Sequence, residues 1–500
     1  MMNFFKKFFS NVSPEKEIII SELSKKREEL MKEIQKPKYK IIENEIFEKD
    51  LKANELFHSK VEPTFKFKDD FYYDLAMKYK SDIKKHEFFK DLQEMPKGCL
   101  LHHHMSDCID IEWISNEVMK EKNINNIYMR KFKTFEILVY TTKPNEKEPH
   151  FDRPFKNIIH EYLANNKSKT PFDYFYERLT MDASELKNVN NNDEAWNIFM
   201  PKYFFCYYLI LNKKLYIQHL KNTFMQCILD NQYRIESRLT PGKVRDDEYN
   251  LVDIDEEFKI YYEALDYVNN KKDSQNKFSF GIIVEMVRNK DDEFIKNTIK
   301  KSILLKEKYP DLICGIDLSG DENNFRTFQD LAHVMVYNDC KDLPWILHCG
   351  ESIKGKNYNL VDGLLIDSKR FGHCINLFKL GILDEYVKNK GITLEINPIS
   401  NQTLRQVRDL RIHPCIGYHN KGMKICINCD DPTLYNTKGV VYDFFVSCVA
   451  MEFDLLDFKC FGINSINGSQ ISDELKNIYK TKFLKDWDKF LDYFIKKYEK

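Results

Sequence analysis

From Gly98 onward, short runs of apolar and β-branched residues recur with longer amphipathic stretches between them. Eight runs stand out: GCLLHHH from Gly98, YRIESRL from Tyr233, FSFGIIVEMV from Phe278, DLICGIDLSGDE from Asp311, PWILHCGE from Pro344, RFGHCIN from Arg370, GITLEINPIS from Gly391 and MKICINCDDP from Met423. Continuous apolar runs, as opposed to strict alternation, are what strands buried on both faces require, and intervening helices supply the covering layers. Eight strand–helix units predict an α/β fold closed into a (β/α)₈ TIM barrel. The rival, an open doubly wound sheet, would carry a Gly-rich phosphate loop after an early strand, and neither GxGxxG nor GxxxxGK[ST] occurs.

Before residue 95 the pattern changes. Ser13-Pro14-Glu15 has the form of an N-cap, a proline at the first helical position and an acid in the first turn, predicting a charged helix to about Gln35. NEIFEKDLKANELFHSK, from Asn44, predicts a second. Residues 1–94 therefore read as an N-terminal helical appendage without a strand, and 95–500 as the barrel. Between about 111 and 193 the chain is charged, rich in Asn and Lys, free of cysteine, and ends in NVNNND. That texture predicts an insertion after the first strand followed by a mobile loop.

Composition narrows the classes. The 500 residues exceed one barrel and leave room for an appendage. Lys and Arg total 77 against 78 Asp and Glu, without a basic tail or acidic block, so neither nucleic acid nor a membrane is expected as the principal partner. A small ligand is. The aromatic N-terminus is broken by Lys6 and Lys7, which denies it the apolar core of a signal peptide, and no window approaches the ~18 apolar residues of a membrane span. A cytoplasmic location is the expectation. The 13 cysteines begin at Cys99, skip from Cys108 to Cys206 and often sit in apolar runs (Cys314, Cys349, Cys374), which reads as buried free thiols. Cys426 and Cys429 form a CxxC, but residues three apart on a strand face opposite ways.

In such a barrel, chemistry sits at the carboxyl ends of the strands, and the unusual polar residues collect there. The first run ends in His102-His103-His104, the fourth in Asp317 to Glu322, the fifth in His348 to Glu351, the sixth at His373 and the eighth in Asp430-Asp431-Pro432. On a strand His102 and His104 share a face pointing into the barrel, while His103 points outward. Three imidazoles and one carboxylate, from His102, His104, His348 and Asp430, suit a catalytic zinc that keeps a position for water. Each remaining residue also has a bland reading: Glu351 as a helix N-terminal acid, His373 as a core histidine, Asp431 as a cap. Six polar groups gathered at strand ends argue jointly for a site.

MPKGCLLHHH, GIDLSGDE, HCGES, RFGHCINL, LEINPISNQ and CDDPTLYNTKGVVYDF resemble the adenosine deaminases. The opening MPKG and SNQTLRQVRDLRIHP are similar to the adenosine deaminase growth factor subfamily. The similarity spans residues 95 to 450, roughly, with the motifs in order, and the helical appendage fits the subfamily. The resemblance implies a barrel of the metal-dependent hydrolase type holding one Zn²⁺ per chain on His102, His104, His348 and Asp430. Glu351 would donate a proton to the purine, and His373 would act as base and orienting group for the attacking water. Asp431 and the backbone of Gly320 would contact the purine, and Trp196 with the residues after it would line the nucleoside pocket. The implied reaction is hydrolytic deamination of adenosine, and of 2′-deoxyadenosine, to inosine and ammonia, in a homodimer formed through the N-terminal helices.

Two departures follow. Family members place a ribose-contacting aspartate just after H-x-H, where this chain has Met105 and Ser106 before Asp107. Secreted members carry a signal peptide and a disulfide in the insertion, neither visible here, which favours an intracellular enzyme over a secreted one. Competing expectations are a growth-factor-like ligand on a deaminase scaffold, and a related 6-aminopurine deaminase such as an AMP deaminase, which needs a cationic phosphate pocket. The H-x-E…P-C-x-x-C signature of the cytidine-deaminase type is absent.

Overall fold

A computed structural model describes residues 21–499 apart from 23, 28, 31–36, 134, 146–151, 272–276 and 355–357. The expected helix start at Ser13 lies outside the described residues. All eight apolar runs form strands: β1 (Gly98–Leu100), β2 (Gln232–Leu239), β3 (Ser279–Val287), β4 (Ile313–Ser319), β5 (Ile346–Cys349), β6 (Arg370–His373), β7 (Thr393–Ile396) and β8 (Lys424–Ile427). They pair in parallel as two four-stranded arcs, β1 to β4 and β5 to β8. Two seams close the ring. The N–H of Ile316 donates to the Pro344 carbonyl at 3.0 Å beside the Ile316–Trp345 bridge, and the N–H of His104 donates to the Asp430 carbonyl at 3.1 Å beside the His103–Asp430 bridge.

The barrel interior is charged where aliphatic layers are usual. Arg234, Glu236 and Arg238 alternate along β2 and so share its inner face. There they meet Asp317 of β4, Arg370 of β6 and Glu395 of β7. Arg238 donates to Asp317 at 2.7 Å and to Glu395 at 2.8 Å, Arg370 donates to Glu395 at 2.5 Å and to Glu236, and Arg234 donates to Glu236 at 2.8 Å. All six side chains are buried. Removing one partner from such a network costs about 3–5 kcal/mol, because a charge is stranded in low dielectric.

Outside the barrel, the N-terminal helices clasp the C-terminal ones. Asp50, in helix Glu48–Leu56, accepts from Lys459 and from the Trp487 indole, both at 2.8 Å. Asp91, in helix Glu87–Glu94, accepts from the hydroxyls of Tyr493 and Tyr498 at 2.8 and 2.6 Å. Between β1 and β2 the chain builds more order than its composition predicts. Strands Ile127–Phe132, Phe135–Tyr140 and Arg153–Pro154 form a small antiparallel sheet whose Ile127, Met129, Leu138 and Val139 are buried. The expected mobile loop at NVNNND is instead a helix start. Asn191 accepts the N–H of Glu194 at 3.0 Å and caps helix Asn192–Leu209, while buried Asn192 donates to the Leu404 carbonyl at 2.7 Å. All 13 cysteines are free thiols, Cys426 and Cys429 among them. Among the described residues no helix is long and apolar enough to cross a membrane.

Candidate metal centre and its cavity

The segment after β1 is pinned from below, since the N–H groups of Leu101 and His102 both donate to Asn428 Oδ1 at 2.9 and 3.0 Å. This holds His102 and His104 over the barrel mouth, with His103 turned away onto Ser237 at 2.9 Å. Asp430 stands just past β8 with φ +56°, and His373 ends β6 with φ +66°. Left-handed backbone at two non-glycine residues of one site is strain of the kind that clusters where function demands it.

One ligand atom each from His102, His104, His348 and Asp430 falls within 4.8 Å of the others. Asp430 Oδ1 lies 3.1 Å from His102 Nε2 and 3.4 Å from His104 Nε2, and His104 Nε2 lies 3.3 Å from His348 Nε2. His102 Nε2 and Asp430 Oδ1 are buried without a hydrogen-bond partner. Buried polar atoms are almost always satisfied, so orphaned donors converging on one point fit a cation. The far ring nitrogens complete the arrangement. His102 Nδ1 meets Glu395 at 2.7 Å, His348 Nδ1 meets Asp317 at 2.5 Å, and His104 Nδ1 lies 3.3 Å from Glu285. Carboxylates behind each imidazole fix the tautomer that presents a lone pair to a metal. Burial pushes His348 down to about 4 despite Asp317, so it stays neutral, the form that ligates.

Above the ligands lies a cavity of about 330 Å³, lined by seven of the other eight expected residues besides Gly320: His104, His348, Glu351, His373, Asp430, Asp431 and Trp196. Gly320, with φ +100°, lines it as well, and His102 sits fully buried beneath. Glu351 is held by its loop: the N–H groups of Gly350 and Ser352 on either side both donate to Glu322 at 3.1 Å. Burial, then the charges of Asp430 and Glu322, raise the Glu351 carboxyl well above its ordinary range, and Gln406 Nε2 donates to its Oε1 at 2.7 Å. His373 Nε2 lies 3.7 Å from Asp430 Oδ2 and 3.9 Å from Glu351 Oε1. Asp431 accepts from the Tyr435 hydroxyl at 3.0 Å, and burial with neighbouring Asp430 raises its carboxyl too. Trp196 opens an aromatic wall that continues through Phe199, Tyr203 and Tyr207 on the same helix. Met105 and Ser106 line the cavity, whereas Asp107 is turned into the protein and pushed up to about 7, chiefly by burial.

Several groups escaped the sequence reading. Glu285, Glu395 and Gln406 sit mid-strand or mid-loop, and only the closed ring aims them at the ligands. The cavity lining also includes Lys133, Lys243, Arg245 and Lys290. Burial and then the charges of Lys301, Arg245 and Lys290 lower Lys243. Glu257, also in the lining, accepts from the N–H groups of Gly242 and Val244 at 2.9 and 3.3 Å and from the Tyr261 hydroxyl at 2.7 Å.

A family model described as adenosine deaminase matches residues 183–485. Human adenosine deaminase 2 is 28% identical over 429 residues, 82% of this chain and 81% of that protein. Among solved structures, the N6-methyl-AMP deaminase of Arabidopsis thaliana aligns with a TM-score of 0.55 at 16% identity, over 79% of this chain and 98% of that one. An amidohydrolase with bound Zn from Burkholderia ambifaria aligns at 0.53 and 14% identity, over 81% and 94%. These two structural likenesses are likenesses of fold.

Proposed function

The chain belongs to the adenosine deaminase family of hydrolytic deaminases, and on that premise we propose that it converts adenosine, and 2′-deoxyadenosine, to inosine and ammonia with one zinc ion per chain. The observation that carries the reading is the convergence of three imidazoles and a carboxylate, two of their atoms orphaned, on the floor of a cavity that also holds a buried Glu351.

A zinc ion held by His102, His104, His348 and Asp430 would lower the pKa of water to around 7 and so supply a nucleophile at neutral pH. The protein's own groups do the rest. Glu351, kept protonated by burial, delivers its proton to N1 of the purine as C6 is attacked, which prevents charge from building on the ring. His373 orients the attacking water from the side facing Asp430 and Glu351. Asp431, steadied by Tyr435, and the Gly320 backbone grip the purine edge. The Trp196 wall covers the nucleoside and excludes bulk water. With Met105 and Ser106 lining the sugar side, the reading gives up a carboxylate contact to ribose and so tolerates the deoxy sugar.

Substituting Glu351→Gln tests this: the absorbance change on adenosine should fall by about 10²- to 10⁴-fold, the usual worth of a general acid. A parental rate would remove Glu351 from the chemistry.

The cytoplasm is the compartment this reading assigns, because reducing conditions there maintain 13 free thiols. A homodimer through the N-terminal helices draws support from Phe47 and Leu51, which stand 60% and 54% exposed on helix Glu48–Leu56 and just before it. Lys133, Lys243, Arg245 and Lys290 in the cavity lining favour a second reading, in which a 5′-phosphate extends the nucleoside. Comparing kcat/KM for adenosine and AMP separates the two readings.

A further inference from the structure

We propose that Cys415, His413, Asn401 and Gln406 form a one-way hydrogen-bond relay that sets where His373 and Glu351 carry their protons, making Asn401 and His413 positioning residues. The proposal rests on the deaminase reading of the same cavity.

The direction of the relay follows from its first member. The backbone N–H of Cys415 can only donate, and it meets His413 Nδ1 at 3.1 Å. His413 is buried and pushed down to about 3 by that burial, so it is neutral and its one ring proton must sit on Nε2. Nε2 lies 3.1 Å from Asn401 Oδ1 and donates to it. This orients the Asn401 amide. Its Nδ2 has two hydrogens and two acceptors, Gln406 Oε1 at 2.7 Å and His373 Nδ1 at 3.0 Å. With Oε1 accepting, Gln406 Nε2 is the donor to Glu351 Oε1 at 2.7 Å. The backbone closes the unit, since the N–H groups of Gln406 and Val407 both donate to the Asn401 carbonyl, at 2.9 and 3.0 Å. His413, Asn401 and Gln406 are all buried, so water does not compete for these bonds.

Two consequences reach the cavity. His373 accepts at Nδ1, from Asn401 and from Asn397 Nδ2 at 3.3 Å, so its neutral ring carries hydrogen on Nε2, the atom facing Asp430 and Glu351. His373 therefore meets the attacking water as an orienting donor and not as the base that the family resemblance suggests. Glu351 accepts at Oε1, so its acidic hydrogen belongs on Oε2, free for the purine. One backbone amide thus sets the polarity of both groups.

The test combines kinetics with imidazole ¹⁵N spectra of the metal-loaded protein without substrate. In the parent, His413 and His373 should both show the Nε2-protonated signature. Asn401→Asp is nearly isosteric but turns the donor facing His373 into an acceptor. It should move the His373 signature to Nδ1 and lower kcat by about 10²-fold, the low end for a proton-transfer group, with KM within threefold. His413→Leu should lower kcat at least tenfold, and His413→Gln, which restores a donor at the ε position, should recover most of that loss. An Nδ1-protonated His373 in the parent, or parental kcat in N401D, overturns the relay. Because the spectra need no turnover, a relay that holds in a protein inert toward adenosine would condemn the substrate and spare the relay.

Discussion

Gly372→Ala changes one hydrogen to a methyl group in β6 and should disable the metal centre from behind. An added Cβ at Gly372 would stand 2.7 Å from His102 Cε1 and 3.0 Å from His102 Nδ1. Ordinary contact begins at 3.4 Å, so the imidazole must retreat by about 0.7 Å. It cannot do so freely, because Nδ1 is bound to Glu395 at 2.7 Å and Glu395 is itself locked to Arg238 and Arg370. Metal–ligand lengths tolerate only about ±0.2 Å, so the displaced Nε2 leaves bonding range. We expect zinc affinity to fall by at least the 10- to 100-fold typical of disturbed ligand support, about 1.4–2.8 kcal/mol. Overpacking itself should destabilise the fold by about 1–3 kcal/mol. The assay is competition for zinc against a chromophoric chelator, alongside thermal unfolding of the metal-stripped proteins. A folded G372A that binds zinc with parental affinity would refute the placement of His102 in the cluster.

Three further outcomes follow from the same geometry. Glu351 has a folded pKa above its ordinary value, so its burial is favourable at low pH and becomes unfavourable as pH rises through the raised value. Glu351→Gln does not titrate, so its melting temperature should gain on the parent as pH increases from about 4.5; a pH-independent difference would contradict the buried, protonated carboxyl. Glu395→Gln removes the charge shared by Arg238, Arg370 and His102, and denaturant unfolding should show a loss of about 3–5 kcal/mol. A loss under about 1 kcal/mol would mean that this network is not as buried as drawn. Trp196→Ala should raise KM for adenosine several-fold more than it lowers kcat, read from steady-state kinetics, if the cavity wall it forms covers the nucleoside as proposed and not the reacting atoms; an unchanged KM would remove Trp196 from nucleoside binding.

The legible part of this molecule is the part written in local pattern. Each barrel strand declared itself as an apolar run, and His102, His104, His348 and Asp430 stood at run ends where the fold places chemistry. What stayed hidden depends on long-range closure. Arg234, Glu236 and Arg238 look like the solvent face of an amphipathic strand, yet their partners Arg370 and Glu395 come from strands more than 130 residues away. The insertion misled for a related reason: the alternating apolar side of Ile127–Phe132 is short and interrupted by Arg130 and Lys131, so composition outweighed a real strand. Asn191 was read as loop chemistry although the same side chain is a strong helix cap. Gln406 and His413 lie within the SNQTLRQVRDLRIHP stretch, but nothing local gave either a role until the segment after β7 folded back onto Glu351.

The central claim is that four side chains hold one divalent ion on which deamination depends. Titrating zinc into chelator-stripped protein, while following adenosine loss, tests it most directly. The account predicts no turnover before addition and full activity at one equivalent per chain, with neither stoichiometric zinc binding nor turnover in Asp430→Ala. Undiminished turnover in the stripped protein, or saturation at one equivalent in D430A, would contradict it.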